Sequence, residues 1–272
     1  MEITFLGTAA AEGYPSPWCD CANCAGARAR GGRDLRGRSA ALINDDLLID
    51  LGPDLVGGAA RAGRSLAAVR HILITHSHSD HLYLPNLEIR DGDYRPAPLA
   101  RAELCAGEDV LELIQAGYPQ GLDRLDLDLR AIAPGQGVRL GRYTVLAVPA
   151  AHGDATMRPL LYAIGDGAQA VFYGTDTGPL AEETWALLRG WRFGALVLDE
   201  TMGFTEPEGG HMAVASFEAC AARFQAEGLL APGALVVAHH FSHWHNPGHA
   251  KLEAYFGPRG VTVAYDGLRL TL

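Results

Sequence analysis

The segment Thr75-His76-Ser77-His78-Ser79-Asp80-His81 packs three imidazoles and a carboxylate into six consecutive residues, directly after the run His71-Ile72-Leu73-Ile74. That run is short, apolar and β-branched, so it predicts a buried strand. The cluster then falls in the loop at the strand's C-terminal end, where side chains can converge on a bound ion. Imidazole nitrogen and carboxylate oxygen are the donors that zinc, manganese and iron prefer. His76, His78 and Asp80 alternate along one side of an extended loop and His81 follows from the other. One ion cannot easily take all four, so two adjacent ions are the economical reading.

The remaining composition narrows the class. The chain has 272 residues, 48% hydrophobic and 20% charged, which fits a single domain spanning 1–272 with an ample core. No apolar run reaches the roughly 18 residues a membrane span needs. A formal net charge of −10 argues against a nucleic-acid partner. Arg28, Arg30, Arg33, Arg36 and Arg38 are the densest basic set, read as a solvated face in preference to a local anion site. Five cysteines, three of them clustered, argue against a disulfide framework and for a reducing, cytoplasmic compartment. Met1–Gly7 reads as a first strand and not as a secretion signal.

Strands are predicted at Ile3–Leu6, Ala41–Ile43, Leu47–Ile49, Ile72–Thr75, Tyr143–Val148, Leu160–Ile164, Ala170–Tyr173, Leu196–Leu198, Leu235–Ala238 and Val261–Tyr265. Asn44-Asp45-Asp46 is a hairpin turn signal. Helical periodicity marks Val110–Gln115, Glu182–Arg189, Val214–Glu227 and Ala250–Phe256, with Gly228 and Gly257 as stops. In the third of these, Phe217, Cys220, Ala221 and Phe224 define one buried face. Cys105 and Cys220 read as core, His71 as a strand-start residue and His249 as a surface residue. Two sheets packed together with helices outside, a four-layer αβ/βα sandwich, suit this order.

Three further strand ends deliver metal-type donors: His152 after Tyr143–Val148, Asp176 after Ala170–Tyr173, and His239-His240 after Leu235–Ala238. Cys19-Asp20-Cys21-Ala22-Asn23-Cys24 supplies three thiolates within six residues, a fit to a tetrahedral zinc that lacks one ligand.

With these motifs and the segments Phe5-Leu6-Gly7-Thr8, Ile49-Asp50-Leu51-Gly52 and Val263-Ala264-Tyr265-Asp266-Gly267, the chain resembles the metallo-β-lactamase superfamily. Within it, the chain resembles the PhnP-type phosphoribosyl cyclic phosphodiesterases. The resemblance implies that His76, His78 and His152 hold one divalent ion, zinc or manganese. It assigns Asp80, His81 and His240 to a second, with Asp176 bridging both. It implies a structural zinc on Cys19, Cys21 and Cys24 whose fourth ligand lies three residues past the last active-site histidine, which is His243. His239 stands beside His240, and His245 near His243, so each pair holds a competitor; spacing favours His240 and His243. Asp50 is read as the acceptor that fixes the tautomer of a ligating histidine.

The expected activity is hydrolysis of a small cyclic phosphodiester, a phosphoribosyl 1,2-cyclic phosphate or a similar cyclic nucleotide or sugar phosphate, by a hydroxide held between two ions. His211, in Gly209-Gly210-His211-Met212, would face the centre by resemblance and act as general acid. Asp80 and Asp176 complete the catalytic set. Rival readings are a thioester or lactam hydrolase, a tRNA 3′-processing nuclease, which lacks support because no basic insertion is present, and a non-catalytic protein of cofactor biosynthesis. Leu82–Arg95 are read as one wall of the pocket, where Arg90 or Arg95 could meet a sugar phosphate, although a solvated surface role is favoured for both. A homodimer is what the resemblance implies for assembly.

Overall fold

Residues 1–206 and 210–272 are described by the computed structural model of the chain. Gly209 of the motif before His211 lies outside the described residues.

The first half builds β1 (Glu2–Gly7), α1 (Ala22–Arg30), β2 (Ala40–Ile43), β3 (Leu47–Ile49), α2 (Leu55–Ala62), β4 (His71–Leu73), α3 (Pro85–Glu88), β5 (Ala102–Ala106), α4 (Glu108–Gly117) and β6 (Leu127–Ala131). The second half adds β7 (Gly137–Leu140), β8 (Tyr143–Pro149), β9 (Leu160–Gly165), β10 (Ala170–Gly174), α5 (Glu182–Leu187) and β11 (Phe193–Asp199). It ends with α6 (Val214–Ala226), β12 (Leu230–His239), α7 (His249–Phe256), β13 (Val261–Val263) and β14 (Arg269–Thr271). One seven-stranded sheet runs β14-β1-β2-β3-β4-β5-β6 and the other β13-β12-β11-β10-β9-β8-β7.

In each sheet an antiparallel part passes into a parallel part. β1 to β3 pair antiparallel through the Asn44 turn, where Asn44 adopts φ 50°, and β3 to β6 are parallel. β7 to β10 form an antiparallel meander, and β10 to β13 are parallel with α5, α6 and α7 as crossovers. Parallel strands need such covered crossovers. This is why β3 is apolar without interruption: Leu47 and Ile49 enter the core between the sheets, while Leu48 enters the cluster beneath α2 and α4. On α6, Phe217, Cys220 and Phe224 are buried as expected, and the Phe224 ring packs 4.7 Å from Trp185 and 5.2 Å from Phe172 between centroids. Burying a side chain of that size contributes about 1.5–3 kcal/mol. The expected αβ/βα sandwich is therefore the fold.

Several expectations are corrected. β4 ends at Leu73, because the Thr75 amide turns to the Asp50 carboxylate at 2.8 Å. Gly228 ends α6 with φ 70°, but Gly257 is right-handed and opens one further turn that Gly260 stops at φ 74°. Arg36 is no surface charge. It is 4% exposed, hydrogen-bonds Thr8 Oγ1 and His249 Nδ1, each at 2.9 Å, and lies over the Phe241 ring. His249 is buried with it, its amide held by Asp34 at 2.6 Å. Arg90 is likewise buried, donating to the carbonyls of Leu125 and Asp126.

Candidate metal centre

The strand ends meet in one cleft of about 290 Å³, lined by His78, Asp80, His152, Asp176, His211 and His240 among others. Backbone conformation helps to aim the donors. Of five described non-glycine residues with positive φ, three stand within two residues of the end of a site strand: Asp50 (64°), Asp176 (62°) and His240 (66°). Such a residue reverses the chain at the strand end, at about 1–3 kcal/mol of strain that surrounding contacts must offset.

Three donor groups share Asp176, the third joining it to Asp199, His211 and His240. In the first, His78 Nδ1 lies 3.0 Å from His76 Nε2 and 3.1 Å from His152 Nε2, and His76 Nε2 lies 3.2 Å from Asp176 Oδ2. In the second, His81 Nε2 lies 3.2 Å from Asp80 Oδ2, 3.3 Å from His240 Nε2 and 3.0 Å from Asp176 Oδ2. Donors about 2.0–2.1 Å from a common ion stand roughly 3 Å apart, so these separations fit a shared cation in each group. Asp176 Oδ1 is buried with no aligned hydrogen-bond donor, although His211 Nδ1 lies 3.1 Å away, which suits a carboxylate shared by two ions. Asp50, Asp80, Asp176 and Asp199 are all buried here, and no Lys or Arg lines the cleft among the described residues. Buried carboxylates in that number call for cationic compensation.

Burial pushes His152 down to about 4, and burial together with the charge of His81 lowers His76, so both are neutral donors at neutral pH. Burial acts against ionised Asp176, but His240, His211, His76 and His81 overcome it and hold its carboxyl well below the usual range. Behind the donors, Asp50 Oδ2 lies 2.7 Å from His81 Nδ1, and Thr201 Oγ1 lies 2.8 Å from His240 Nδ1. Each contact fixes one ring nitrogen and leaves the other facing the cleft.

His211 sits in the loop before α6, with Nδ1 3.3 Å from Asp199 Oδ2. Asp199 is occupied in turn by the Met212 and Thr201 amides and the Thr201 hydroxyl. Burial disfavours a charged His211, yet Asp176 and Asp199 outweigh it and push the imidazole up to about 10. Asp199 and Thr201 have no place among the residues expected from sequence. The rule that finds Asp176 and His240, a polar residue just past an apolar strand, also reaches them.

The two members of each histidine pair face different surroundings. His239 spends its two nitrogens on Gly7 O at 3.1 Å and Thr175 Oγ1 at 3.2 Å, so His240 is the cleft donor. His243 joins Cys19, Cys21 and Cys24 in a compact group, its Nδ1 3.6 Å from Cys21 Sγ, whereas His245 lines the cleft. Cys21 caps the start of α1. Burial opposes its thiolate, but the Cys24 amide and His243 bring it down to about 6, an easily ionised thiol. Leu82–Arg95 do not wall the cleft. α3 instead packs against the outer face of the first sheet, where Asn86 holds the Gly52 carbonyl at 2.7 Å.

A two-sheet αβ/βα sandwich with a histidine-rich cleft at the strand ends of both sheets defines the metallo-β-lactamase fold. The family model described as "Beta-lactamase superfamily domain" matches residues 46–241, and the chain belongs to this superfamily of metal-dependent hydrolases. Among solved structures it is similar to a diphosphatase from the PhnP family, at 23% identity and TM-score 0.77 over 100% of this chain and 97% of that one. It is similar to Zn²⁺-bound PqqB from Methylobacterium extorquens, at 20% identity and TM-score 0.76 over the whole of both chains. The short form of human tRNase Z follows at 18% identity and TM-score 0.69, over 100% and 99%. No curated protein matches the chain.

Proposed function

We propose that this chain is a two-metal phosphodiesterase acting on small cyclic phosphodiesters. The observation that carries the reading is the Asp199–His211 pair, which sets an imidazole with a carboxylate behind its Nδ1 at the rim of the donor groups centred on Asp176. Ester cleavage at phosphorus expels an alkoxide, which needs a proton; a thioester expels a thiolate, which leaves without one. The names of two similar structures, a diphosphatase and a tRNA-processing enzyme, point the same way.

In this reading His76, His78 and His152 hold one divalent cation, zinc or manganese, and Asp80, His81 and His240 the other, with Asp176 between them. The bound cations supply Lewis acidity at a phosphoryl oxygen and lower the pKa of a water from ~15.7 toward ~7. His211 donates its proton to the leaving oxygen, a contribution of about 10²–10⁴ in rate. Asp199 orients the ring and favours its protonated form. Cys19, Cys21, Cys24 and His243 hold a structural zinc that ties α1 to the loop after β12, a join already made by Asn23 Nδ2 donating to the His243 carbonyl at 3.0 Å.

The test is a substrate panel on protein of measured metal content: ribose 1,2-cyclic phosphate, a 2′,3′-cyclic nucleotide, an aryl phosphodiester, a dinucleoside diphosphate, a lactam and a thioester. Diester cleavage that disappears on chelation and in Asp176→Ala is expected. Turnover of lactam or thioester with inert diesters would sink the reading.

A further inference from the structure

We infer that the cleft selects a diester whose scissile phosphate is its only anionic group, carried on an uncharged, hydroxyl-bearing skeleton, and that Glu12 rejects a second phosphate. The inference rests on the phosphodiesterase reading. Besides the donor groups, the cleft is lined by Ala10, Ala11 and Met202, which are apolar, and by Glu12, Ser242 and His245, which are polar. No lysine or arginine lines it among the described residues. A terminal phosphate is ordinarily met by guanidinium forks or ammonium groups, and here it would meet a carboxylate. Glu12 is held in place: Oε1 accepts from Ser242 Oγ at 2.5 Å and lies 3.7 Å from His243 Nε2, while the side chain stays 32% exposed.

The arginines beside the cleft are already committed to partners within the chain. Arg36, Arg38 and Arg61 line a neighbouring cavity of about 330 Å³ that also shares Glu12. All three are engaged: Arg38 with Asp54 at 2.6 Å, Arg61 with Asp266 at 2.8 Å, and Arg36 with Thr8 and His249. A sugar hydroxyl suits the cleft better, since a carboxylate accepts its hydrogen bond while apolar walls take the carbon face. Specificity of this kind comes from a repulsive element as well as an attractive one.

The experiment compares kcat/KM of metal-loaded protein for ribose 1,2-cyclic phosphate and its 5-phosphate. The unphosphorylated diester is expected to be preferred by about tenfold or more, with the gap widening at low salt as like-charge repulsion loses its screening. Glu12→Gln should narrow the gap. Ala11→Arg, at an exposed position on the same wall, should raise turnover of the 5-phosphate about tenfold. Calorimetric Kd values for the monoester products should follow the same order. Equal or better turnover of the 5-phosphate overturns the selectivity and leaves the phosphodiesterase reading intact. Cleavage of neither compound, nor of a 2′,3′-cyclic nucleotide or an aryl phosphodiester, by fully loaded protein overturns both.

Discussion

The Asp50 carboxylate stands 2.7 Å from Nδ1 of His81 and also accepts the Thr75 amide at 2.8 Å. One buried side chain thus fixes both the tautomer of a donor and the start of the loop that carries four donors. Asp50→Asn is expected to weaken divalent-metal affinity about 10–100-fold, as loss of such a supporting partner typically does. Competition against a chromophoric chelator reads it directly. Unchanged affinity would show that the loop holds His81 without Asp50.

His211→Ala should retain both cleft metals and lose about 10²–10⁴ in kcat on a diester with an alkoxide leaving group. On a p-nitrophenyl diester, whose leaving group needs no proton, the loss should be small. Asp199→Asn should reproduce the same leaving-group dependence, because it acts through the His211 ring. Equal losses on both substrates would remove the general-acid role.

Much of this centre is legible in the order of residues. The His76–His81 cluster is dense enough to announce a metal site alone, and His152, Asp176 and His240 each follow an apolar run. Arg36 is not legible, because its partners lie far along the chain, Ala264 among them, and nothing local separates a buried arginine from its exposed neighbours Arg28 and Arg33. β5 escapes notice because Ala102-Glu103-Leu104-Cys105-Ala106 is poor in β-branched residues and owes its strand state to its neighbours β4 and β6. β7 does carry a signal, the alternation Gly137-Val138-Arg139-Leu140, with Val138 and Leu140 buried. It is too short to stand out.

Gly52→Ala tests the packing beneath the metal loop. A Cβ there would collide with the Asp80 carbonyl oxygen, a rigid backbone atom. The expected cost is about 1–3 kcal/mol of stability, with weaker metal binding because the carbonyl belongs to a donor residue. Urea denaturation and metal titration of the same variant check both.

Asp34 offers a pH test away from the cleft. Burial opposes its charge, but Arg30, at 2.5 Å, and the His249 amide hold its carboxyl below the ordinary value. A depressed folded pKa gives stability that is present above the unfolded value of about 3.9 and lost as pH falls through the folded one. The stability difference between wild type and Asp34→Asn should therefore be constant from about pH 5 to about pH 7, and shrink below about pH 4. A gap that stays open on acidification would assign the effect to packing.

Cys24→Ser should lower zinc by one ion per chain and reduce Tm while leaving the two cleft metals in place, as elemental analysis and thermal unfolding would show. Loss of all metal together would mean that the two sites fold as one unit.

The two donor groups that include the β4 loop draw on both sheets: His76, His78, Asp80 and His81 follow β4 of one, and His152, Asp176 and His240 follow β8, β10 and β12 of the other. An ion between His81 and His240 closes a loop 159 residues long in sequence separation. It is a cross-link that can be installed and withdrawn, and by mass action it adds about 2.7 kcal/mol when free metal exceeds its Kd a hundredfold. The molecule then has a seam that opens when metal runs short. Scarcity would silence the chemistry and loosen the two leaves in one step, so the survival of this protein in a metal-poor medium, and not only its turnover, would report the free concentration of its ion.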